Sequence, residues 1–334
     1  MINYLNEDLN YIISDIENKY GKDIIYITDD NVYKYYFNNF KERIIVFKHG
    51  EDYKTLETVN NIYSKLLEFN ANKGSVIVGV GGGIVSDVTG YVASTFMRGV
   101  KFGFISTTLL GMVDASIGGK NGVNFNNYKN LIGNIKEPNF IYISPYFLKT
   151  LPQREVHAAF GEILKYAIGF DKDLFEHLEK DDITYKDIIY ICSNIKVNVV
   201  SKDLYENSGE RKKLNLGHTI AHAIEKYTHK YVHGECVLMG LYLINIISYL
   251  NNLISEDDYL RVKNLLENYN FIDLDKDTFL KLLNNSIEFI KFDKKGIDTN
   301  KLDIVLIDKI GNSKLISITQ NDLKNEIQKA ISLI

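Results

Sequence analysis

Proline occurs at only three of the 334 positions, Pro138, Pro145 and Pro152, and all three fall in one stretch at the middle of the chain. Proline stops helices and is excluded from central strands, so long uninterrupted elements are confined to the two flanks and the cluster marks a seam between them. The length suits two domains of ordinary size. The expected division is an α/β domain over 1–152 and a mostly α-helical domain over 153–334.

On the N-terminal side, β-branched runs alternate with helix-length amphipathic stretches. The strand candidates are IIYIT (24–28), RIIVFKH (43–49), SVIVGV (75–80), KFGFIST (101–107) and NFIYIS (139–144). Between the second and third, Leu56, Val59, Ile62, Tyr63, Leu66 and Phe69 recur at spacings of three and four, which predicts a helix with one buried face. This alternation predicts a largely parallel, Rossmann-like sheet covered on both faces, with ligands outside the carboxyl ends of its strands.

SVIVGV is followed by Gly81, Gly82 and Gly83 and then by a helical run beginning at Ile84, with Asp87 in its first turn. A strand, a glycine turn and a helix start together form an anion site able to seat a dinucleotide pyrophosphate. The spacing is not GxGxxG, and a tight structural turn explains the glycines equally well. Asp29 and Glu51, after the first two strands, are candidates for ribose hydroxyls or for solvated loop residues. Residues 107–133 read as a long glycine-rich loop carrying Asp114, Lys120, Lys129 and Asn130, a composition suited to an anionic substrate.

After Pro152 the pattern turns helical, with candidates at 153–168, 185–201, 218–229, 235–251, 255–269 and 322–331, and one hairpin at 302–318 turning on Gly311 and Asn312. His218 and His222 are four apart on one helical face, Glu225 follows on that helix, and His233 precedes the next. Upstream, Glu162 and Lys165 lie one turn apart among small and apolar residues, where a charge needs a partner or a metal. One carboxylate with two histidines is a catalytic zinc pattern, whereas Thr219 rules out HExxH. Hydrogen-bonded structural histidines are the competing explanation. Cys192 and Cys236 match no disulfide or metal spacing and read as buried apolar residues.

With 39 basic and 43 acidic residues the formal net charge is −4, which gives no general attraction to nucleic acid or acidic membrane. No run of 18 uncharged apolar residues occurs, and the first twenty residues lack signal-peptide character. A cytoplasmic location is the expectation.

The segments GGGIVSDVTGYVASTFMRGV, ISTTLLGMVDASIGGKNGVN, KNLIG, FGEILKYAIG, RKKLNLGHTIAHAIE, HGECVLMG and the lysine pair of DKK (293–295) resemble the 3-dehydroquinate synthase family, in its order and across nearly the whole chain. The resemblance implies NAD held by Asp29, Asn31, Glu51, Lys54, Gly82, Gly83, Ile84, Asp87, Thr107, Thr108, Lys120 and Lys129, with Asp114 near its nicotinamide end. It implies zinc, or alternatively cobalt, on Glu162, His218 and His233. Substrate would meet Lys120, Lys129, Asn130, Asp114, Lys165, Lys196, Arg211, Asn215, His222 and one of Lys294 and Lys295. Arg98 would reach the substrate phosphate in the neighbouring subunit of a homodimer.

The implied reaction turns 3-deoxy-D-arabino-heptulosonate 7-phosphate into 3-dehydroquinate and phosphate. In the family, NAD oxidises C5, the ketone acidifies the C6 proton, phosphate leaves, NADH returns its hydride, and ring opening and aldol closure follow. Two departures stand out: Leu204 follows Asp203 where the family usually has Glu, and the stretch from Lys196 to Arg211 is one residue longer. Rival readings are a cyclase acting on sedoheptulose 7-phosphate or glucose 6-phosphate, a metal-dependent polyol dehydrogenase, and an inactive binding module. The substrate-anion lysines argue against the dehydrogenase, and Arg211, suited to a carboxylate, argues against the cyclases.

Overall fold

All five strand candidates of the N-terminal half form, and they pair in parallel. The computed structural model describes residues 2–37, 40, 43–126, 128–269, 275–292 and 301–334. Its first compact unit is Met1–Val156. Here the chain runs β1 (Ile2–Tyr4), α1 (Leu9–Tyr20), β2 (Ile24–Asp29), α2 (Asp30–Tyr36), β3 (Ile44–Phe47), α3 (Leu56–Glu68), β4 (Val76–Gly81), α4 (Gly83–Thr95), β5 (Lys101–Ser106), β6 (Lys120–Phe125), β7 (Tyr128–Ile135) and β8 (Phe140–Ile143).

Six strands make one sheet in the order β1-β8-β5-β4-β2-β3. Every pair in it is parallel. β4 is buried at every position, as a central strand flanked by helices must be. α3 starts at Thr55, whose side chain accepts from the Thr58 N–H, and it buries Val59, Ile62 and Leu66 on one stripe. β1 and α1 were not read from the sequence. α1 is capped by Asp8 and buries Leu9, Ile12, Ile13 and Ile16.

One expectation is corrected here. Residues 107–133 are not one long loop: Gly111–Ala115 form a π-helical turn, and β6 and β7 form an antiparallel hairpin. Gly122 and Gly133 face each other in it, and a Cβ on Gly133 would lie 2.2 Å from the Asn121 carbonyl oxygen. The glycines that read as loop therefore let two backbones close up. The proline stretch is itself structured. β8 lies within it and sits between β1 and β5, Pro145 opens a 3-10 turn (Pro145–Thr150), and Pro152 immediately precedes a helix. Pro145 and Pro152 stand at the starts of helical elements and Pro138 lies in irregular chain two residues ahead of β8, where a missing N–H and a fixed φ do no harm.

The second unit, His157–Ile334, contains most of α5 (Gln153–Phe170), then α6 (Lys172–Lys180), α7 (Tyr185–Lys202), α8 (His218–Tyr227), α9 (His233–Leu250), α10 (Glu256–Asn268), α11 (Lys276–Ser286), β9 (Lys301–Lys309), β10 (Asn312–Thr319) and α12 (Gln320–Ser332). α6 and α11 were not read from the sequence. α9 is long and apolar enough to cross a membrane, but 72% of it is buried inside the protein, which makes it the core helix of this unit. The β9–β10 turn uses Ile310 and Gly311 rather than Gly311 and Asn312, because Asn312 already pairs with Lys309. Gly311 has φ +80°, and a Cβ there would lie 2.5 Å from the Lys172 nitrogen.

Candidate functional site

In the first unit the candidate residues collect at the carboxyl ends of the parallel strands. Asp29 ends β2, Glu51 and Lys54 follow β3, Gly82 to Asp87 follow β4, and Thr107 and Thr108 follow β5. From β2 the chain goes to β3 on one side, then returns past β2 to β4 on the other. The switch point thus lies between Asp29 and the glycine turn, where open α/β sheets bind ligands.

The glycines of this turn are required by space. A Cβ on Gly81 would lie 2.4 Å from Val85 Cγ2, and one on Gly82 2.8 Å from Thr108 Cγ2. No side chain caps the start of α4, which leaves a dipole end suited to pyrophosphate. The Thr107 N–H donates to the Gly81 carbonyl (3.0 Å), and Thr108 Oγ1 accepts from the Gly111 N–H (3.0 Å). Asp29 caps α2 by accepting from the Val32 N–H (2.9 Å). Burial pushes its carboxyl upward against the pull of the Val32 and Asn31 N–H groups. Asn31 is exposed in α2, Ile84 is half-buried in the first turn of α4, and Asp114 lies in the π turn.

Four candidates meet in one network. The buried Lys54 ammonium lies 2.5 Å from Asp87 and also donates to Asn130 Oδ1. Asn124, which the sequence reading passed over, accepts from the Asn130 N–H (2.9 Å) and donates to Glu51 Oε1 (2.8 Å). Lys120 and Lys129 are exposed on the same hairpin. Arg98 is exposed in the turn between α4 and β5, at the opposite, amino-terminal edge of the sheet. Met97, Arg98 and Gly99 all have positive φ there.

In the second unit, Glu162, His218 and His233 come together with one donor atom each inside 4.8 Å. Nε2 of His218 and of His233 lie 3.2 and 3.1 Å from the same Glu162 oxygen. A glycine beside each ligand makes this convergence possible. A Cβ on Gly161 would lie 2.3 Å from the Gly234 carbonyl oxygen, and one on Gly234 1.7 Å from that of Ala158. α5 and α9 therefore cross backbone to backbone, which places Glu162 against His233. A Cβ on Gly240 would lie 2.1 Å from the Gly217 oxygen, so the start of α8, and with it His218, seats equally closely on α9.

The other ring nitrogens are held from behind. His218 Nδ1 lies 3.1 Å from the Leu216 carbonyl and His233 Nδ1 3.3 Å from Glu225 Oε1. Such contacts fix both rings with Nε2 forward. The sequence placed Glu225 on the right helix without giving it a role. The signal for one was its spacing of seven from His218.

Burial opposes a charge on Glu162, but Lys165, His218 and His233 outweigh it and hold the carboxyl well below its usual range. Burial likewise opposes a charge on His233, yet Glu162 and Glu225 raise its pKa to about 10. The buried carboxylate thus demands positive charge. With one carboxylate and two oriented imidazoles, the donor set fits a divalent zinc or cobalt ion with a coordination position left over.

Around this centre, Lys165 is buried and paired with Glu162. The exposed His222 ring lies 5.5 Å from that of His218 and 6.4 Å from that of His233. Lys196 is buried in α7, and Asn215 ends the 3-10 turn Arg211–Asn215. Arg211 is buried and donates to the Leu204 carbonyl (2.6 Å), with Glu206 3.8 Å away. The unusual 203–211 loop is organised by Asp203, which accepts from the N–H groups of Asn207 (2.7 Å), Ser208 (3.1 Å) and Arg211 (3.1 Å). Lys294 and Lys295 lie outside the described residues. Cys192 and Cys236 are buried thiols, as expected.

Comparison with known proteins shows the family. The 3-dehydroquinate synthase N-terminal model matches residues 44–158 and the C-terminal model residues 159–296. A curated 3-dehydroquinate synthase of Clostridium acetobutylicum is 41% identical over 75% of this chain and 74% of its own length. One from Clostridium botulinum is 36% identical over 95% and 92%. Among solved structures, a 2-deoxy-scyllo-inosose synthase complexed with carbaglucose-6-phosphate, NAD+ and Co2+ has TM-score 0.83 at 26% identity, covering 98% of this chain and 96% of that one. An iron-containing alcohol dehydrogenase, with TM-score 0.63 at 11% identity over 100% and 98% of the two chains, shares the fold alone. With both family models matched in sequence and the two glycine-built sites in place, the chain belongs to the 3-dehydroquinate synthase family.

Proposed function

We propose that this chain converts 3-deoxy-D-arabino-heptulosonate 7-phosphate to 3-dehydroquinate and phosphate. The observation that carries the reading is the convergence of Glu162, His218 and His233, with Lys165 and His222 beside them, in a chain of this family. The curated synthases at 36–41% identity favour this substrate over that of the 2-deoxy-scyllo-inosose synthase at 26%.

The glycine turn, Asp29, Asn31, Glu51, Lys54, Asp87, Thr107, Thr108 and Asp114 would hold NAD. When bound, NAD supplies an acceptor that takes up a hydride and gives it back, so there is no net redox change. Glu162, His218 and His233 would hold zinc or cobalt, which supplies Lewis-acid polarisation of the substrate hydroxyl. His222 moves a proton at its imidazole beside that hydroxyl and the phosphate. Arg211 binds the substrate carboxylate with its planar fork. Lys120, Lys129, Asn130, Lys196 and Asn215, with one of Lys294 and Lys295, bind the remaining oxygens, and Lys165 holds Glu162 ionised. Arg98, at the opposite sheet edge from the glycine turn, serves the phosphate of a second copy, which makes the working form a homodimer. The reading places the enzyme in the cytoplasm.

Phosphate release with the heptulosonate phosphate, catalytic NAD and zinc, run beside sedoheptulose 7-phosphate and glucose 6-phosphate, tests this. Release from the heptulosonate alone, without accumulating NADH, is the expected result. Preferential turnover of either other sugar phosphate would replace the substrate, and stoichiometric NADH would point to a dehydrogenase.

A further inference from the structure

Asn124 leaves the hairpin ladder that its neighbours obey. The β6–β7 register shifts between Val123 and Phe125, and at that shift Asn124 forms a bridge with Thr55 instead. Its N–H donates to the Lys54 carbonyl at 2.8 Å. Bulges of this kind turn a side chain away from the ladder, and they gather beside active sites.

The side chain so turned meets two groups of opposite character. Oδ1 accepts from the Asn130 N–H at 2.9 Å, while Nδ2 donates to Glu51 Oε1 at 2.8 Å and faces the Glu51 carbonyl at 3.5 Å. Only one amide orientation satisfies an N–H on one side and a carboxylate on the other, so neither Asp nor an apolar residue of the same shape can make both contacts. The Asn130 backbone is left-handed, with φ +53°. Asparagine tolerates that conformation better than other residues carrying a Cβ, and the acceptor that Asn124 offers to its N–H helps hold it there. Asn130 Oδ1 in turn receives the Lys54 ammonium, which pairs with Asp87.

We propose that Asn124 is a positioning residue that couples the cofactor side of the reaction, through Glu51, to the substrate side, through Asn130. The proposal rests on the roles given to Glu51 and Asn130 above. Asn124 itself touches neither ligand. Its amide sets the Glu51 carboxylate and fixes the backbone twist that presents the Asn130 side chain.

Two variants separate the arms. Asn124→Asp keeps an acceptor for the Asn130 N–H, loses the donor to Glu51 and sets two carboxylates against each other. Asn124→Leu loses both contacts while keeping the branched shape and the same number of side-chain heavy atoms. NAD affinity is read by calorimetry on the zinc-loaded, NAD-free protein, and kcat and KM for the heptulosonate phosphate at saturating NAD. Losing a hydrogen bond to a charged group predicts a Kd for NAD raised roughly tenfold or more in Asn124→Asp, with kcat reduced no more than about threefold. Asn124→Leu should raise the NAD Kd and also lower kcat roughly tenfold, for the same reason at both arms. Equal losses in NAD affinity and kcat in the two variants, or none in either, would overturn the coupling. Glu51→Gln guards the underlying reading. Weakened NAD binding there, with normal binding in Asn124→Asp, overturns the coupling alone. Unchanged binding in both overturns it together with the cofactor role of Glu51.

Discussion

Nδ1 of His233 lies 3.3 Å from the Glu225 carboxylate, and this contact leaves Nε2 as the nitrogen that faces Glu162. An outer carboxylate of this kind orients the ring and raises its basicity, and losing one weakens metal binding roughly 10- to 100-fold. Glu225→Gln should therefore lower zinc affinity by that order in a chelator competition while the helical circular dichroism spectrum is kept. Wild-type affinity in this variant would remove Glu225 from the metal centre.

The backbone crossing of α5 and α9 has its own test. A methyl group on Gly234 would lie 1.7 Å from the Ala158 carbonyl oxygen, which is backbone and cannot swing aside. Gly234→Ala should force the helices apart, cost about 1–3 kcal/mol or more of stability, and separate His233 from Glu162. Thermal denaturation should show the loss of stability and zinc titration the loss of affinity, both larger than for alanine at Gly74, where the added carbon meets only the end of the Asn72 side chain, at 3.2 Å.

Chelation should abolish turnover yet leave NAD binding largely intact, because the metal ligands lie in the second unit and the glycine turn in the first. Adding back zinc or cobalt should restore phosphate release. Full activity in protein shown by elemental analysis to be metal-free would contradict the assignment of Glu162, His218 and His233.

Asp203 gives a pH signature. Burial pushes its carboxyl upward, but the N–H groups of Arg211, Ser208 and Asn207 more than reverse this and bring it from 3.8 to about 2. A folded pKa below the unfolded one means stability that is complete above the unfolded value and lost as pH falls through the folded one. Asp203→Asn should therefore melt below the wild type at neutral pH, with a gap that closes as pH falls from about 4 toward 2. A gap independent of pH over that range would show that the carboxylate charge does not hold the 203–211 loop.

Much of this was legible from residue types. β-branched runs gave the sheet because β2, β4, β5 and β8 are buried along most of their length, and the carboxyl-end rule gathered Asp29, Glu51 and Asp87, whereas Lys54 came only from the family resemblance. The glycine and histidine spacing pointed to Glu162, His218 and His233, and the structure supplied the reason in the backbone contacts beside them. The β6–β7 hairpin was hidden because KNGVNF and YKNLIGNI carry few β-branched residues, and its stability comes from pairing and from packing on α4 rather than from propensity. Asn124 and Glu225 were missed for a different reason. Each acts by holding another residue, and that is written in three-dimensional neighbours rather than in a motif.

The close helix crossings have a consequence for how this centre can change. Where backbone rests on backbone, as between Gly161 and Gly234 and between Gly217 and Gly240, ligand spacing is set by atomic radii and not by the rotamers of surrounding side chains. The spacing of these three candidate ligands is thus insulated from mutation in the walls around them. Side chains that line the surroundings can be exchanged while the Glu162, His218 and His233 frame stays where the backbone contacts of α5, α8 and α9 put it.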